Sequence, residues 1–220
     1  MPLTLLYHPL SSYCHKVLIA LYEHGAAFTA RLINLGDTAD RAQLQAAWPL
    51  IKFPVLRDHA RGRDVAESSI IIEYLDHHYA GPDKLIPDQW EAALEVRLWD
   101  RVFDNHVQGP MQHIVAERIR GGQADMAQQR AALLTAFRML DAHLATHAWA
   151  AGNSFSMADC AAAPALFYAS TLVAFPEQCE HLRAYFDNLT ARASVARVLE
   201  EAKPYFAMYP FAQDIPAKFR

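Results

Sequence analysis

The chain has 220 residues, of which 53% are hydrophobic and 20% are charged, and its formal net charge is −4 at pH 7. This length is enough for one large domain or two smaller ones, each with a buried core. Acidic and basic residues are interspersed, so the sequence lacks the concentrated basic face that binds a phosphate backbone. We therefore expect no nucleic-acid partner.

The cysteine content and the lengths of the apolar runs indicate the cellular compartment of the protein. Cys14, Cys160 and Cys179 are too few and too scattered for a disulfide framework, and their odd number favours free thiols in a reducing environment. The first residues lack a basic leader with an apolar stretch, and no apolar run reaches the ~20 residues of a spanning helix. We expect a cytoplasmic protein with no signal peptide and no membrane segment.

The first third of the chain alternates between strand and helix patterns. Short apolar runs at 3–7, 28–35, 54–57 and 65–66 indicate strands, whereas 17–22, 40–47 and the apolar segment after Glu67 indicate helices. The turn at 61–64 joins the last two strands in a hairpin. The predicted order is β-α-β-α-β-β-α.

The remainder is predicted to be helical. Gly81, Pro82 and Pro87 mark residues 81–87 as a linker, which separates an α/β domain over 1–80 from an all-α domain over 88–220. Apolar residues then recur at spacings of three and four in four segments, 90–120, 124–147, 156–172 and 180–202. The tail from Lys203 is predicted to be an aromatic-rich coil that packs back on the surface.

The tetrapeptide Ser11-Ser12-Tyr13-Cys14 lies between the first predicted strand and the first helix, where the positive end of the helix favours an anion. A thiol with a pKa near 8.5 is only about 3% ionised at pH 7, and one hydrogen bond to a charged group contributes roughly 1.5 to 3 kcal/mol. One serine could therefore keep a bound thiol ionised. A plain helix-capping serine pair is the alternative.

The segment YHPLSSYCHKVLIAL, from Tyr7 to Leu21, resembles the start of serine-type glutathione transferases. The resemblance implies a thioredoxin-like first domain in which Ser11 donates a hydrogen bond to the sulfur of glutathione. Tyr7 and Ser12 stay open as alternatives, because other classes of the family keep a catalytic tyrosine at the end of the first strand. Cys14 corresponds to the second glutaredoxin cysteine and is interpreted as a buried structural thiol.

Two further segments resemble the glutathione-binding elements of this family. In KFPVL the resemblance implies that Pro54 is cis, that the backbone of Phe53 pairs with the cysteinyl part of glutathione, and that Lys52 is a candidate for its glycine end. In ESSIIIEYL a hydroxyl at a helix N-terminus, from Ser68, can hold the γ-glutamyl carboxylate, while Glu67 can accept from its ammonium group. The alternatives are a trans proline that opens a strand and a plain N-cap.

Other sequence patterns indicate structural roles rather than catalytic ones. GNSFSMAD resembles the family's capping motif, with Ser156 as N-cap and Asp159 buried and needed for folding. His143 and His147 stand four apart without a third ligand, so we expect surface or packing histidines and no metal. Apolar residues after the linker are interpreted as core, although the resemblance places the second-substrate pocket there: Leu98, Phe103, Val107, Met111 and Ile114. Arg97, Arg101 and Asp104 are predicted to form a surface or intersubunit charge network.

The combined resemblance identifies the chain as similar to cytosolic, serine-type, bacterial-like glutathione transferases. It implies conjugation of glutathione, the co-substrate, to small hydrophobic electrophiles by a homodimer. A glutathione-dependent thiol-disulfide reductase or peroxidase, and a non-catalytic binding scaffold, are the two alternatives.

Overall fold

The computed structural model describes all 220 residues as two units, residues 1–86 and 87–220. The first unit has the predicted order of elements, which is therefore confirmed. Its elements are β1 (Leu3–Tyr7), α1 (Ser12–Glu23), β2 (Phe28–Leu32), α2 (Thr38–Ala47), β3 (Val55–Asp58), β4 (Arg63–Ala66) and α3 (Ser68–His78).

The four strands form one mixed sheet in the order β2-β1-β3-β4. β1 runs parallel to β2 and antiparallel to β3, and β3 and β4 form a hairpin. Leu6 pairs with Val55, so the end of β1 lies beside the start of β3. This thioredoxin-like arrangement brings the loop before α1 next to the segment that contains Pro54.

Two buried side chains hold the segment after α3 against the first unit. Asp76 accepts the N–H groups of Leu85 at 2.7 Å and Ile86 at 3.1 Å, and Nδ1 of His24 accepts the N–H of Gly81 at 3.1 Å. A Cβ at Gly81 would lie 2.9 Å from the Cα of His24, which leaves no space for a side chain. The two ends of this segment, Gly81 and Leu85–Ile86, are thus hydrogen bonded to the first unit, whereas residues 82–84 are exposed.

The second unit is helical, as predicted. It contains α4 (Trp90–Val102), α5 (Gly109–Ile119), α6 (Ala127–Leu144), α7 (Met157–Ser170), α8 (Glu180–Ala191) and α9 (Ala193–Ala202). No helix in the structure combines the length and the apolar character needed to cross a membrane.

Two predicted helices are interrupted. A π-helical turn, Phe103–Gln108, joins α4 to α5, and the N–H of Gly109 bonds to the carbonyl of Asp104 five residues earlier. Pro110 has no N–H for the usual bond to residue 106, which favours this wider turn. The predicted helix 180–202 breaks at Arg192, which is extended with ψ 134° and whose guanidinium lies 4.0 Å from the ring centroid of Phe155.

Asp159 organises the start of α7. Its carboxylate accepts hydrogen bonds from the N–H and hydroxyl of Ser156, from the N–H of Ala150 and from the hydroxyl of Tyr185, at 2.6–2.9 Å. The side chain is completely buried. The predicted capping box and the predicted burial of Asp159 are both confirmed.

The tail packs back on the second unit, as predicted, but the prediction that it is a coil is wrong. Residues 203–208, 212–214 and 217–219 form 3₁₀ turns, and the tail buries several apolar side chains in the second unit. The ring of Phe206 lies 5.9 Å from that of Phe167, and the ring of Tyr209 lies 5.2 Å from that of Tyr168. Burial of large aromatic surfaces stabilises this end of the chain, which periodicity alone does not reveal.

Leu98 is not a core residue. The prediction of core positions holds for Phe103, Val107, Met111 and Ile114, which are buried, but Leu98 is 51% exposed. It lies four residues after Leu94, which is four after Trp90, and these two are also exposed. One face of α4 therefore carries an apolar stripe, Trp90–Leu94–Leu98, that this chain does not cover.

Candidate active site

Ser11 begins the first helix. It is the N-cap of α1, and its Oγ accepts the N–H of Cys14 at 3.3 Å. A serine hydroxyl has one donor and two acceptor positions, so this bond leaves its proton available to a ligand. Ser11 is half-buried, whereas Ser12, inside the helix, is only 3% exposed. This difference favours Ser11 over Ser12 as the hydroxyl presented to solvent.

Cys14 is a free, buried thiol. Its side chain is buried, and its Sγ accepts the N–H of His8 at 3.4 Å. Burial raises its pKa to about 12, although hydrogen bonds with Ser11 and with the backbone of His8 act in the opposite direction. The predicted burial of Cys14 is confirmed, and it favours a structural role, because a nucleophilic cysteine needs a lowered pKa and some exposure.

The segment before β3 has the backbone geometry that the resemblance implies. The Phe53–Pro54 peptide bond is cis, and Ile51 has a φ of 53°. Phe53 packs on the cluster of Leu6, Ile33, Leu44 and Val55, whereas Lys52 is exposed.

Tyr7, the alternative to Ser11, is half-buried at the end of β1, and its carbonyl accepts the N–H of Ile33 at 2.8 Å.

The start of α3 has no side-chain cap. Glu67 occupies the N-cap position with φ 67° and ψ 118°, and its exposed carboxylate makes no capping bond. A non-glycine residue in this region costs about 1–3 kcal/mol, a strain that is concentrated at functional sites. Ser68, 7% exposed, is the first helical residue rather than the cap. The first turn of α3 itself has no acidic residue, although the exposed carboxylate of Glu67 stands at its N-cap.

Lys16 is a feature that sequence reasoning missed. It is 1% exposed within α1, and its Nζ donates to Oγ of Ser69 at 2.9 Å. This buried side chain thus links α1 to the first turn of α3. The available signal was a lysine within the apolar run that follows Cys14.

His8 was also missed. The antiparallel register Leu6–Val55, continued by two residues, sets His8 opposite Phe53. Their rings stack with centroids 5.6 Å apart and planes 16° apart. Nδ1 of His8 accepts the N–H of Leu10 at 3.2 Å, and burial lowers the pKa of the ring. A pairing between residues 45 positions apart cannot be read from local periodicity.

The remaining predicted groups belong to the second unit. Nε2 of His143 bonds to the carbonyl of Ala150 at 2.9 Å, and its ring stacks on that of His147 at 4.0 Å. No group of three or more His, Cys, Asp or Glu side chains is placed to hold a metal ion. Arg101 pairs with Asp104, as predicted, and with Asp100, but both carboxylates are buried rather than on the surface.

Comparison with known proteins identifies the family of this fold. The family model of the glutathione S-transferase N-terminal domain matches residues 5–83, and that of the C-terminal domain matches residues 103–193. FtsZ-localized protein A of Caulobacter vibrioides is 31% identical over 170 residues, which cover 73% of this chain and 74% of that protein. A probable glutathione S-transferase of Nicotiana tabacum is 32% identical over 152 residues, 69% of this chain and 64% of the relative.

A solved structure gives the same result. The glutathione S-transferase from Methylobacillus flagellatus with glutathione bound is 27% identical, with a TM-score of 0.79 over 89% of this chain and 98% of that one. The two family models together match well over half of the residues. This chain therefore belongs to the glutathione S-transferase family.

Proposed function

We propose that this protein is a glutathione transferase that conjugates glutathione, bound by the first unit, to a small hydrophobic electrophile. The observation that carries the proposal is the start of α3, where a strained Glu67 leaves the helix without a side-chain cap and a buried serine follows. A helix N-terminus of this kind holds an anion through its backbone N–H groups and its dipole. The γ-glutamyl carboxylate of glutathione is such an anion.

Charge complementarity extends to the rest of the tripeptide. The carboxylate of Glu67 is exposed beside this helix start and would accept from the γ-glutamyl ammonium. The backbone of Phe53 would pair with the cysteinyl part, as in the family resemblance. Lys52 is an exposed cation next to it and would attract the glycine carboxylate.

In the proposed chemical step, one hydrogen bond and the positive end of α1 stabilise the glutathione thiolate. Ser11 would donate its hydroxyl proton to the glutathione sulfur, and the uncompensated N-terminus of α1, which has no acidic residue in its first turn, would favour the thiolate. Lowering a thiol pKa by about two units needs roughly 2.7 kcal/mol, and one hydrogen bond to a charged group supplies about 1.5–3 kcal/mol. The bound thiolate is then the nucleophile, and the protein forms no covalent bond.

The proposal includes a cytoplasmic homodimer. The stripe Trp90–Leu94–Leu98 on α4 is exposed in the single chain, and an apolar stripe of this kind is typical of a protein–protein interface. A second copy of this chain would cover it in the proposed dimer.

Binding of glutathione tests the first part of the proposal. The purified chain should be retained on immobilised glutathione and should turn over a chloronitrobenzene. We expect Ser68→Ala and Glu67→Gln each to weaken affinity by about tenfold to a hundredfold, the loss of one charge-assisted hydrogen bond. Glu177→Gln, an exposed position in the second unit, is the control. A wild-type chain that passes through the resin contradicts the proposal.

A second candidate function is a non-catalytic scaffold. It is favoured by one relative, whose name describes localisation with FtsZ rather than an enzymatic activity. Such a protein would neither bind glutathione nor turn over an electrophile, so the same experiment separates the two.

The reductase alternative would need a reactive protein thiol or an exchange between bound glutathione and a disulfide. The burial of Cys14 argues against the first route.

A further inference from the structure

We propose that His8 is a positioning residue for glutathione, because it joins the loop that carries Ser11 to the segment that carries Phe53. The inference rests on the proposed function, in which these two residues hold the cysteinyl part of the tripeptide. His8 lies between them in space and contacts both sides.

The first set of contacts is with the loop before α1. The carbonyl of His8 accepts the N–H of Ser11 at 3.0 Å, and its N–H donates to Sγ of Cys14 at 3.4 Å. Its ring Nδ1 accepts the N–H of Leu10 at 3.2 Å. Three hydrogen bonds within residues 8–14 therefore fix the backbone that presents the Ser11 hydroxyl.

The hydrogen bond from Leu10 also defines the state of the imidazole. A backbone N–H can only donate, so Nδ1 carries no proton and the ring is the neutral form with its proton on Nε2. Burial favours the same neutral form, since it lowers the pKa of the ring. His8 thus contributes hydrogen-bond geometry to this loop without a formal charge.

The second contact is the ring stack. The ring planes of His8 and Phe53 are 16° apart, and Phe53 also packs on the buried cluster of Leu6, Ile33, Leu44 and Val55. The position of the Phe53 backbone is thereby coupled to the position of the Ser11 loop. Enzymes require such a supporting contact, because a reacting group displaced by about 1 Å can lose activity by two orders of magnitude.

Two substitutions separate the roles of the ring. His8→Phe keeps an aromatic face for Phe53 but removes the acceptor for Leu10, whereas His8→Asn keeps an acceptor oxygen near the position of Nδ1 but removes the ring. The measurements are the pKa of the bound glutathione thiol, from thiolate absorbance, and kcat and KM for glutathione. His59→Asn, an exposed histidine in the same unit, is the control.

We expect the two variants to differ. His8→Phe should raise the bound thiol pKa by about one unit and change KM less than about threefold, because the Ser11 loop relaxes. His8→Asn should raise KM about tenfold and leave the thiol pKa close to the wild-type value, because the Phe53 segment shifts. If His8 had only a structural role, both variants would lose thermal stability, and they would not differ in which quantity changes, the thiol pKa or KM.

The possible results distinguish this inference from the proposed function. Wild-type values of both quantities in both variants, or the same change in both, would overturn the role of His8 and leave the transferase proposal intact. A wild-type chain that binds no glutathione would end both proposals.

Discussion

The hydroxyl of Ser11 and the thiol of Cys14 share one turn of α1 but have opposite environments. Oγ of Ser11 accepts the N–H of Cys14 at 3.3 Å from a half-buried position, whereas Sγ of Cys14 is fully buried. The hydroxyl of Ser11 is thus accessible at the start of α1, whereas the thiol of Cys14 is not accessible as a nucleophile. In the proposed reaction, the sulfur therefore comes from the ligand.

The native Cys14 thiol should resist modification. With a pKa near 12, it is almost entirely protonated at neutral pH, and its burial excludes reagents. Treatment of the folded chain with glutathione disulfide or iodoacetamide should give no adduct at Cys14 by mass spectrometry, whereas the urea-unfolded chain should react. A stable mixed disulfide at Cys14 in the folded protein would favour the reductase alternative.

Asp58 should contribute a pH-dependent part of the stability. It is buried, and although burial alone raises its pKa, hydrogen bonds from Tyr79, Tyr74 and Arg61 lower the pKa from 3.8 to about 2. Because the folded-state pKa lies below the unfolded one, ionised Asp58 stabilises the fold above about pH 4, and this contribution is lost as pH falls toward 2.

The comparison of Asp58→Asn with the wild type tests this contribution. Asp58→Asn should be less stable at neutral pH, and its Tm should fall less than that of the wild type between pH 4 and pH 2. Asp64→Asn, which removes an exposed partner of Arg57, is the control and should follow the wild-type profile. Parallel profiles for Asp58→Asn and the wild type would argue against the assignment.

Removal of the Asp159 carboxylate should destabilise the helical unit strongly. Asp159→Ala leaves the buried donors of Ala150, Ser156 and Tyr185 without their acceptor, and each unsatisfied buried group costs about 1–3 kcal/mol. Urea unfolding should show a loss of at least about 3 kcal/mol, against less than about 1 kcal/mol for Asp187→Ala, an exposed partner of Lys218. Equal losses in the two variants would contradict this account.

The apolar stripe on α4 should mediate dimer formation. Leu94→Glu combined with Leu98→Glu introduces charges on the stripe, so sedimentation velocity should change from a dimer to a monomer. Met139→Glu on α6, also at an exposed apolar position, should remain dimeric. A monomeric wild type at micromolar concentration, or a dimeric double variant, would reject this interface.

Local sequence signals predicted the elements of the first unit and the start of α7 well. Alternating apolar runs identified the strands, and the serine–aspartate spacing identified the cap of α7, because both depend on residues that are close in the chain. The same signals predicted Ser68 as a possible N-cap, whereas Glu67 takes that position through an unusual φ that its residue type does not indicate.

Features that depend on distant contacts could not be predicted. The stack of His8 on Phe53 follows from the register of β1 against β3, and the bond from Lys16 to Ser69 follows from the packing of α1 near α3. No glycine or proline marks the break at Arg192 in the sequence. The break accompanies contacts of the Arg192 guanidinium with the rings of Phe155 and Trp149. Tertiary interactions override local preference at such positions.

The pKa of the bound glutathione thiol, titrated by ultraviolet absorbance, tests the central claim most directly. We predict an apparent pKa below about 7.5 for the wild type, a rise of about one to two units in Ser11→Ala, and no change in Tyr7→Phe. An unchanged pKa in Ser11→Ala, or a rise confined to Tyr7→Phe, would contradict the assignment of the thiolate-stabilising hydroxyl to Ser11.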